Sequence, residues 1–140
     1  DVVKSKAAEQ DIIIMTAAVA DFCPSHPADE KIKKNDSSYE SVIELERTED
    51  ILSYLGAHKA KGQLICGFSM ETQNMLENSK AKLAKKNADM IVANNLKVAG
   101  AGFGTDTNVV TLITANDCTE LEIMDKSCVA ARIMDRLLQM

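Results

Sequence analysis

The chain has no tryptophan and only three phenylalanines and two tyrosines in 140 residues, so its core must be aliphatic. No apolar run approaches the roughly 20 residues that span a bilayer. No signal-peptide apolar region is visible either, so the expectation is a cytoplasmic protein without a membrane partner. Four cysteines (Cys23, Cys66, Cys118, Cys128) show no CxxC or other metal-ligand spacing. They read as reduced thiols, Cys66 and Cys128 in apolar segments, with disulfides as the alternative. Basic residues are outnumbered, 16 against 21 acids, for a net charge of −5. That excludes a general nucleic-acid binder, which needs a basic surface, but leaves room for one nucleotide held by a few lysines. There is also no initiator methionine. The opening DVVKSKAAEQ reads as the latter part of an amphipathic helix, with Val2, Val3 and Ala7 on one side, and a fragment of something longer is expected.

What is present is one domain's worth of chain, residues 1–140, with alternating strand and helix patterns. Asp11–Met15 (DIIIM) is a continuous apolar run, the pattern of a strand buried on both faces of a parallel sheet. It ends in Thr16–Asp21, where small residues leave the backbone open to a ligand. The only two prolines, Pro24 and Pro27, forbid regular structure between them, and Lys31, Lys33 and Lys34 close a long loop. Tyr39–Leu45 alternates like a half-exposed strand. Thr48 suits the N-cap of a helix carrying Ile51, Leu52 and Leu55, with Glu49 and Asp50 in its first turn.

Gln63–Phe68 is the next buried strand, and Thr72 to Asn87 the longest helix, with Met75, Leu76, Ser79 and Leu83 inward. Lys82 and Lys86 share a face beside that stripe. Asp89–Ala93 is a third buried strand. Asn108–Ile113 and Glu120–Met124 read as an antiparallel hairpin around Ala115–Asp117. The last helix, Lys126–Leu138, turns Val129, Ile133, Leu137 and Leu138 inward. The expected fold is α/β: a three-layer, Rossmann-like, mainly parallel sheet with an antiparallel hairpin near the C-terminus. The three buried strands end in AAVAD, GFSMET and VANN, and the ligand crevice of such sheets lies outside the carboxyl ends of the strands.

Several motifs have a bland reading beside the functional one. Gly100–Gly104 spaces its glycines as GxGxG and precedes a strand, not the helix whose N-terminus would hold a pyrophosphate, so a flexible connection is the better account. Asp21 is a ligand contact or an Asx-type loop cap. The lysines are a solvated face or a phosphate site. His26 with Asp29 and Glu30 is weak evidence for a metal, and none is assigned. Cys23 lacks a partner base, and Phe68 is core by default.

Beyond these readings, AAVADFCP (Ala17–Pro24) followed by EKIKK (Glu30–Lys34) resembles the signature of the phosphopantothenoylcysteine synthetase family, the C-terminal ligase half of bifunctional decarboxylase/ligase proteins. RTEDIL (Arg47–Leu52), GFSMET (Gly67–Thr72), KLAKKNADMIVANN (Lys82–Asn95) and GFGTDTNVVTLI (Gly102–Ile113) are similar to further family blocks, in order along the chain. The resemblance implies coenzyme A biosynthesis: a nucleotide, CTP with Mg²⁺, activates 4′-phosphopantothenate as an acyl-nucleotidyl anhydride, and cysteine then displaces CMP. It implies Lys31 as the catalytic loop lysine, with Ala17, Asp21, Lys31, Glu46, Arg47, Thr48, Glu49, Phe68, Lys82 and Lys86 binding nucleotide. Ala18 would meet the substrate.

A homodimer, whose contact the Asn108–Met124 hairpin could supply, and an upstream flavin-dependent decarboxylase are implied as well. Glu49 stands where the family has proline, and GFSMET replaces GFAAET. The family's upstream Gly-rich nucleotide-binding segment precedes Asp1, so this chain alone is expected to turn over weakly if at all. The competing readings are a Rossmann-type NAD(P)-binding oxidoreductase and a non-catalytic nucleotide-binding or dimerisation module.

Overall fold

The computed structural model describes residues 2–31, 42–71, 74–95, 98, 101–102 and 104–140. In chain order the elements are α1 (Val2–Ala7), β1 (Ile12–Met15), β2 (Phe22–Pro24), β3 (Leu45–Arg47), α2 (Ile51–Ala57), β4 (Leu64–Glu71), α3 (Met75–Lys85), β5 (Met90–Asn95), β6 (Thr107–Asn108), β7 (Val110–Thr114), β8 (Cys118–Glu120), β9 (Met124–Asp125) and α4 (Lys126–Leu137). They fall into two compact units, Asp1–Thr16 with Ile51–Met140, and Ala17–Asp50.

The larger unit is a five-stranded sheet in the order β1-β4-β5-β7-β8. β1, β4 and β5 are parallel, as expected for apolar strands joined through helices, and β7 and β8 continue the sheet antiparallel. Period-two alternation sorts the strand residues between two helical layers. On one face Cys66, Met90, Val92, Val110 and Leu112 pack against Val129, Ile133 and Leu137 of α4. On the other, Leu83 of α3 meets Ile91, Ala93 and Ile113, and Leu55 of α2 meets Ile13 and Ile65, with Val3 and Ala7 of α1 beside them. The three-layer expectation holds.

Polar clamps join the layers. Gln63 Nε2 donates to the Ala7 and Gln10 carbonyls at 2.7 and 2.5 Å, tying α1 to the start of β4. Asp89 accepts from Lys59 Nζ at 2.8 Å and from the Ile65 N–H at 2.7 Å, so both carboxylate oxygens are used where β4 and β5 begin. A Cβ on Gly56 would lie 1.8 Å from the Lys86 carbonyl oxygen, so only glycine lets α2 approach the end of α3.

Some local expectations change. β1 is an edge strand among the described residues, with Ile13 its one buried side chain, so the DIIIM run is covered on one face more than on both. Val2, Leu76 and Leu138 are exposed, because the helices turn Val3 and Ala7, then Met75, Ser79 and Leu83, then Val129, Ile133 and Leu137 inward. Cys128 is exposed in the first turn of α4; Cys66 is fully buried. The hairpin forms around Ala115–Asp117 as β7–β8, while Asn108 and Met124 pair separately as β6–β9.

The smaller unit holds one antiparallel pair, β2–β3, with Phe22 opposite Arg47, Cys23 opposite Glu46 and Pro24 opposite Leu45. The expected Tyr39–Leu45 strand is therefore displaced toward Arg47: Val42–Glu44 are not strand, and Tyr39–Ser41 lie outside the described residues.

Candidate functional site

The residues singled out by the sequence reading divide between the two units, and each set has its own geometry. In the smaller unit, Ala17–Asp21 and Glu46–Glu49 are far apart in sequence and adjacent in space. The Thr48 N–H donates to the Asp21 carbonyl at 3.0 Å and its Oγ1 to the Ala20 carbonyl at 2.5 Å. The ladder then runs on through Phe22–Arg47 and Cys23–Glu46. Thr48 is thus not a helix cap. Its hydroxyl is committed to the chain it lies beside, α2 begins only at Ile51, and the first turn of α2 holds no acid.

This pair of hydrogen bonds holds Thr48 against the Ala20–Asp21 end of the small-residue stretch. Ala17, Ala18, Asp21, Glu46, Arg47 and Glu49 are exposed. Arg47 places its guanidinium 5.2 Å from the centroid of the Phe22 ring, which orients it without consuming its donors on an acid. The Cys23 thiol donates to Glu46 Oε1 at 3.9 Å, a negatively charged neighbour and not the cationic one that favours a thiolate nucleophile. Lys31 is exposed at the end of the described loop; Lys33 and Lys34 lie outside the described residues.

In the larger unit the carboxyl ends of three parallel strands sit side by side. Met15 pairs with Gly67, Ser69 with Ala93 and Glu71 with Asn95. β4 therefore runs on beyond the end of β1, and Phe68 is its first residue without a partner in that strand. Lys82 Nζ donates to the Phe68 carbonyl at 2.7 Å. Lysine side chains on a helix lean toward its N-terminus, which carries the amine to this edge of the sheet. Lys86, four residues on, donates to Ser53 Oγ at 3.0 Å in the first turn of α2. The two lysines share a face, as expected, yet hold different elements. Phe68 is half-buried, its ring packed on the α4 face.

Two asparagines at the same edge carry no role in the sequence reading. Asn108 Nδ2 donates to Asn94 Oδ1 at 2.8 Å, joining the end of β5 to β6. The hairpin pattern hides this pair, since Asn108 reads as the first residue of a strand. Of the GxGxG glycines, Gly102 and Gly104 take φ of +107° and +72°, and the chain after Gly104 leads into β6, not into a helix. Among the described residues no three His, Cys, Asp or Glu side chains cluster to hold a metal. No helix of the described residues is long and apolar enough to cross a membrane.

The layers, the parallel strand trio and the antiparallel extension define a Rossmann-like three-layer α/β domain. The sequence matches, over residues 1–140, the family described as DNA/pantothenate metabolism flavoprotein C-terminal domain, and the chain belongs to that family. It is 48% identical over 128 residues to the coenzyme A biosynthesis bifunctional protein CoaBC of Bacillus subtilis (strain 168), a match covering 91% of this chain and 31% of that protein. It is also 48% identical over 131 residues to a cysteine/cysteine sulfinic acid decarboxylase of an unknown prokaryotic organism, covering 93% of this chain and 36% of that protein. The crystal structure of the C-terminal domain of a CoaBC superposes with a TM-score of 0.76 at 40% identity, covering 99% of this chain and 60% of that one. The chain spans about a third of the length of these curated relatives.

Proposed function

We infer that this chain is the ligase portion of a phosphopantothenate–cysteine ligase in coenzyme A biosynthesis. The observation that carries the reading is the 40% identity to a CoaBC C-terminal domain across nearly the whole chain. In the reaction, a carboxylate oxygen of 4′-phosphopantothenate attacks the α-phosphorus of CTP and pyrophosphate leaves. The cysteine amine then attacks the acyl carbon, CMP leaves with the bonding electrons, and the amine proton passes to solvent.

Neither step calls for a nucleophilic side chain. Both call for positive charge near the phosphates and the developing oxyanion. Lys31 is the catalytic residue of this reading, because its exposed amine is free to follow the charge as it moves. Ala17, Asp21, Phe68, Lys82, Lys86 and the backbone of Glu46–Glu49 bind the nucleotide, and Ala18 meets the substrate. Mg²⁺ enters on the triphosphate: the described residues offer no three-ligand cage, and Mg²⁺ ordinarily keeps several waters and uses one or two carboxylates with substrate phosphates.

The proposal extends to a cytoplasmic homodimer joined upstream to a flavin-dependent decarboxylase. Self-association is supported by Phe22, Val42, Ile43 and Leu45 of the smaller unit, all apolar and between 48% and 82% exposed. The test measures pyrophosphate released from CTP with and without 4′-phosphopantothenate. It uses this chain and a longer polypeptide carrying the family's sequence upstream of Asp1. Release that depends on 4′-phosphopantothenate in the longer polypeptide supports the reading; none there sinks it, and NAD(P)H binding without CTP dependence would favour an oxidoreductase.

A further inference from the structure

The Asn94–Asn108 pair is assembled so that each amide has one orientation. Asn108 Oδ1 accepts the Val109 N–H at 2.9 Å. That leaves only its Nδ2 to face Asn94, where it donates to Oδ1 at 2.8 Å. A carboxamide whose oxygen accepts must present its nitrogen elsewhere. Asn94 Nδ2 has no hydrogen-bond partner among the described residues, and the side chain is half-buried, so one face of it reaches solvent.

The strand register says where this donor lies. Phe68 pairs with Val92 and Met70 with Asn94, so Asn94 shares the α4 face with Phe68, one step further along the carboxyl edge. An aromatic ring and an uncharged amide donor suit the nucleoside part of a ligand. Lys82 and Lys86 project from α3, which covers the opposite face, and suit its phosphates.

We propose that Asn108 is a positioning residue: through its bond to Asn94 it holds the Asn94 amide N–H toward an acceptor atom on the base or ribose of the bound nucleotide. The proposal rests on the nucleotide-dependent ligase reading and adds a residue pair to it. Asn108→Asp provides an unusual test because it keeps the structural bonds and reverses their sense. A carboxylate at 108 still accepts from Val109, but it faces Asn94 with an acceptor. The Asn94 amide then turns over and presents oxygen to the ligand. Asn108→Leu removes the bond and leaves Asn94 able to find either orientation.

The measurements are the dissociation constants of CTP and of uncharged cytidine, with the thermal midpoint of each variant, in the longer polypeptide used for the ligase assay. Expected is a loss of about tenfold for both ligands in Asn108→Asp with little change in midpoint. Asn108→Leu should lose less affinity and more stability. A merely structural role predicts the reverse order, and that order overturns the proposal. So does a loss confined to CTP, which would be repulsion of the triphosphate by the new carboxylate, and so does unchanged binding in Asn108→Asp. Wild-type protein that forms acyl-nucleotide while Asn108→Asp binds normally removes this inference alone. Wild-type protein that binds neither ligand and releases no pyrophosphate overturns the ligase reading with it.

Discussion

Lys82 Nζ and the Phe68 carbonyl oxygen, 2.7 Å apart, tie α3 to β4 at the first residue where β4 has outrun β1. One amine therefore satisfies a strand carbonyl and places a positive charge at the edge where the nucleotide is proposed to sit. Lys82→Met keeps the aliphatic stem and deletes both contributions. Loss of the hydrogen bond should cost about 1 kcal/mol of stability. Loss of a charge-assisted phosphate contact should raise the KM for CTP about tenfold or more. Urea unfolding and CTP titration on one preparation separate the two effects: a lowered midpoint with an unchanged KM would make Lys82 a tether only.

Lys31 is expected to behave differently because no hydrogen bond or ion pair among the described residues uses it. Its side chain is exposed, so Lys31→Gln should leave the thermal midpoint unchanged. The rate of acyl-nucleotide formation should fall by about 100-fold, the scale for removing one group that stabilises transition-state charge. Pyrophosphate release in a single turnover of the longer polypeptide reads this directly, and full activity in the variant would remove Lys31 from the catalytic role.

Much of this arrangement was legible in the sequence, for identifiable reasons. Continuous apolar runs at Ile12–Met15, Leu64–Phe68 and Met90–Ala93, too short for helices, read as strands of a parallel sheet, and the turn around Ala115–Asp117 carried its own signal. Helix faces were less legible at their ends, where Leu76 and Leu138 were read into the apolar stripe and yet are exposed. Thr48 was misread because residue type cannot tell a hydroxyl that caps a helix from one that bonds a distant carbonyl; Ala20 is 28 positions away. The Asn94–Asn108 bond was invisible for the same reason, since it depends on β6 returning to the end of β5.

Gly56 offers the sharpest test of the packing. The Lys86 carbonyl lies where a Cβ would go, and it belongs to backbone, which cannot swing aside as a flexible side chain would. Gly56→Ala must push α2 from the end of α3, straining the bond from Asn87 Nδ2 to the Gly56 carbonyl at 2.7 Å. A loss of about 3 kcal/mol is expected from denaturant unfolding. Gly62→Ala is the comparison: φ is +83° but nothing lies within 4 Å, so only the backbone strain, about 1 kcal/mol, should appear. Equal losses at the two sites would refute the close-approach account of Gly56.

Cys66 should give the fold a distinct alkaline signature. Burial, and secondly the Asp89 charge, push its thiol from 9.0 up to about 12. Above pH 9 the unfolded chain releases this proton while the folded chain keeps it, so the folded state binds more protons. Stability must then fall with rising pH. The contribution is complete below pH 9 and is lost as pH climbs through about 12. Other groups titrate in the same range, so the readout is the difference between wild type and Cys66→Ala. The variant should be less stable near neutrality because it leaves a small void, yet show a shallower decline from pH 9 to 12. In the native protein at pH 8 a thiol reagent should label the exposed Cys118 and Cys128 and spare Cys66 until denaturant is added. Parallel pH profiles for the two proteins, or rapid native labelling of Cys66, would mean that the strand interior admits water at this position.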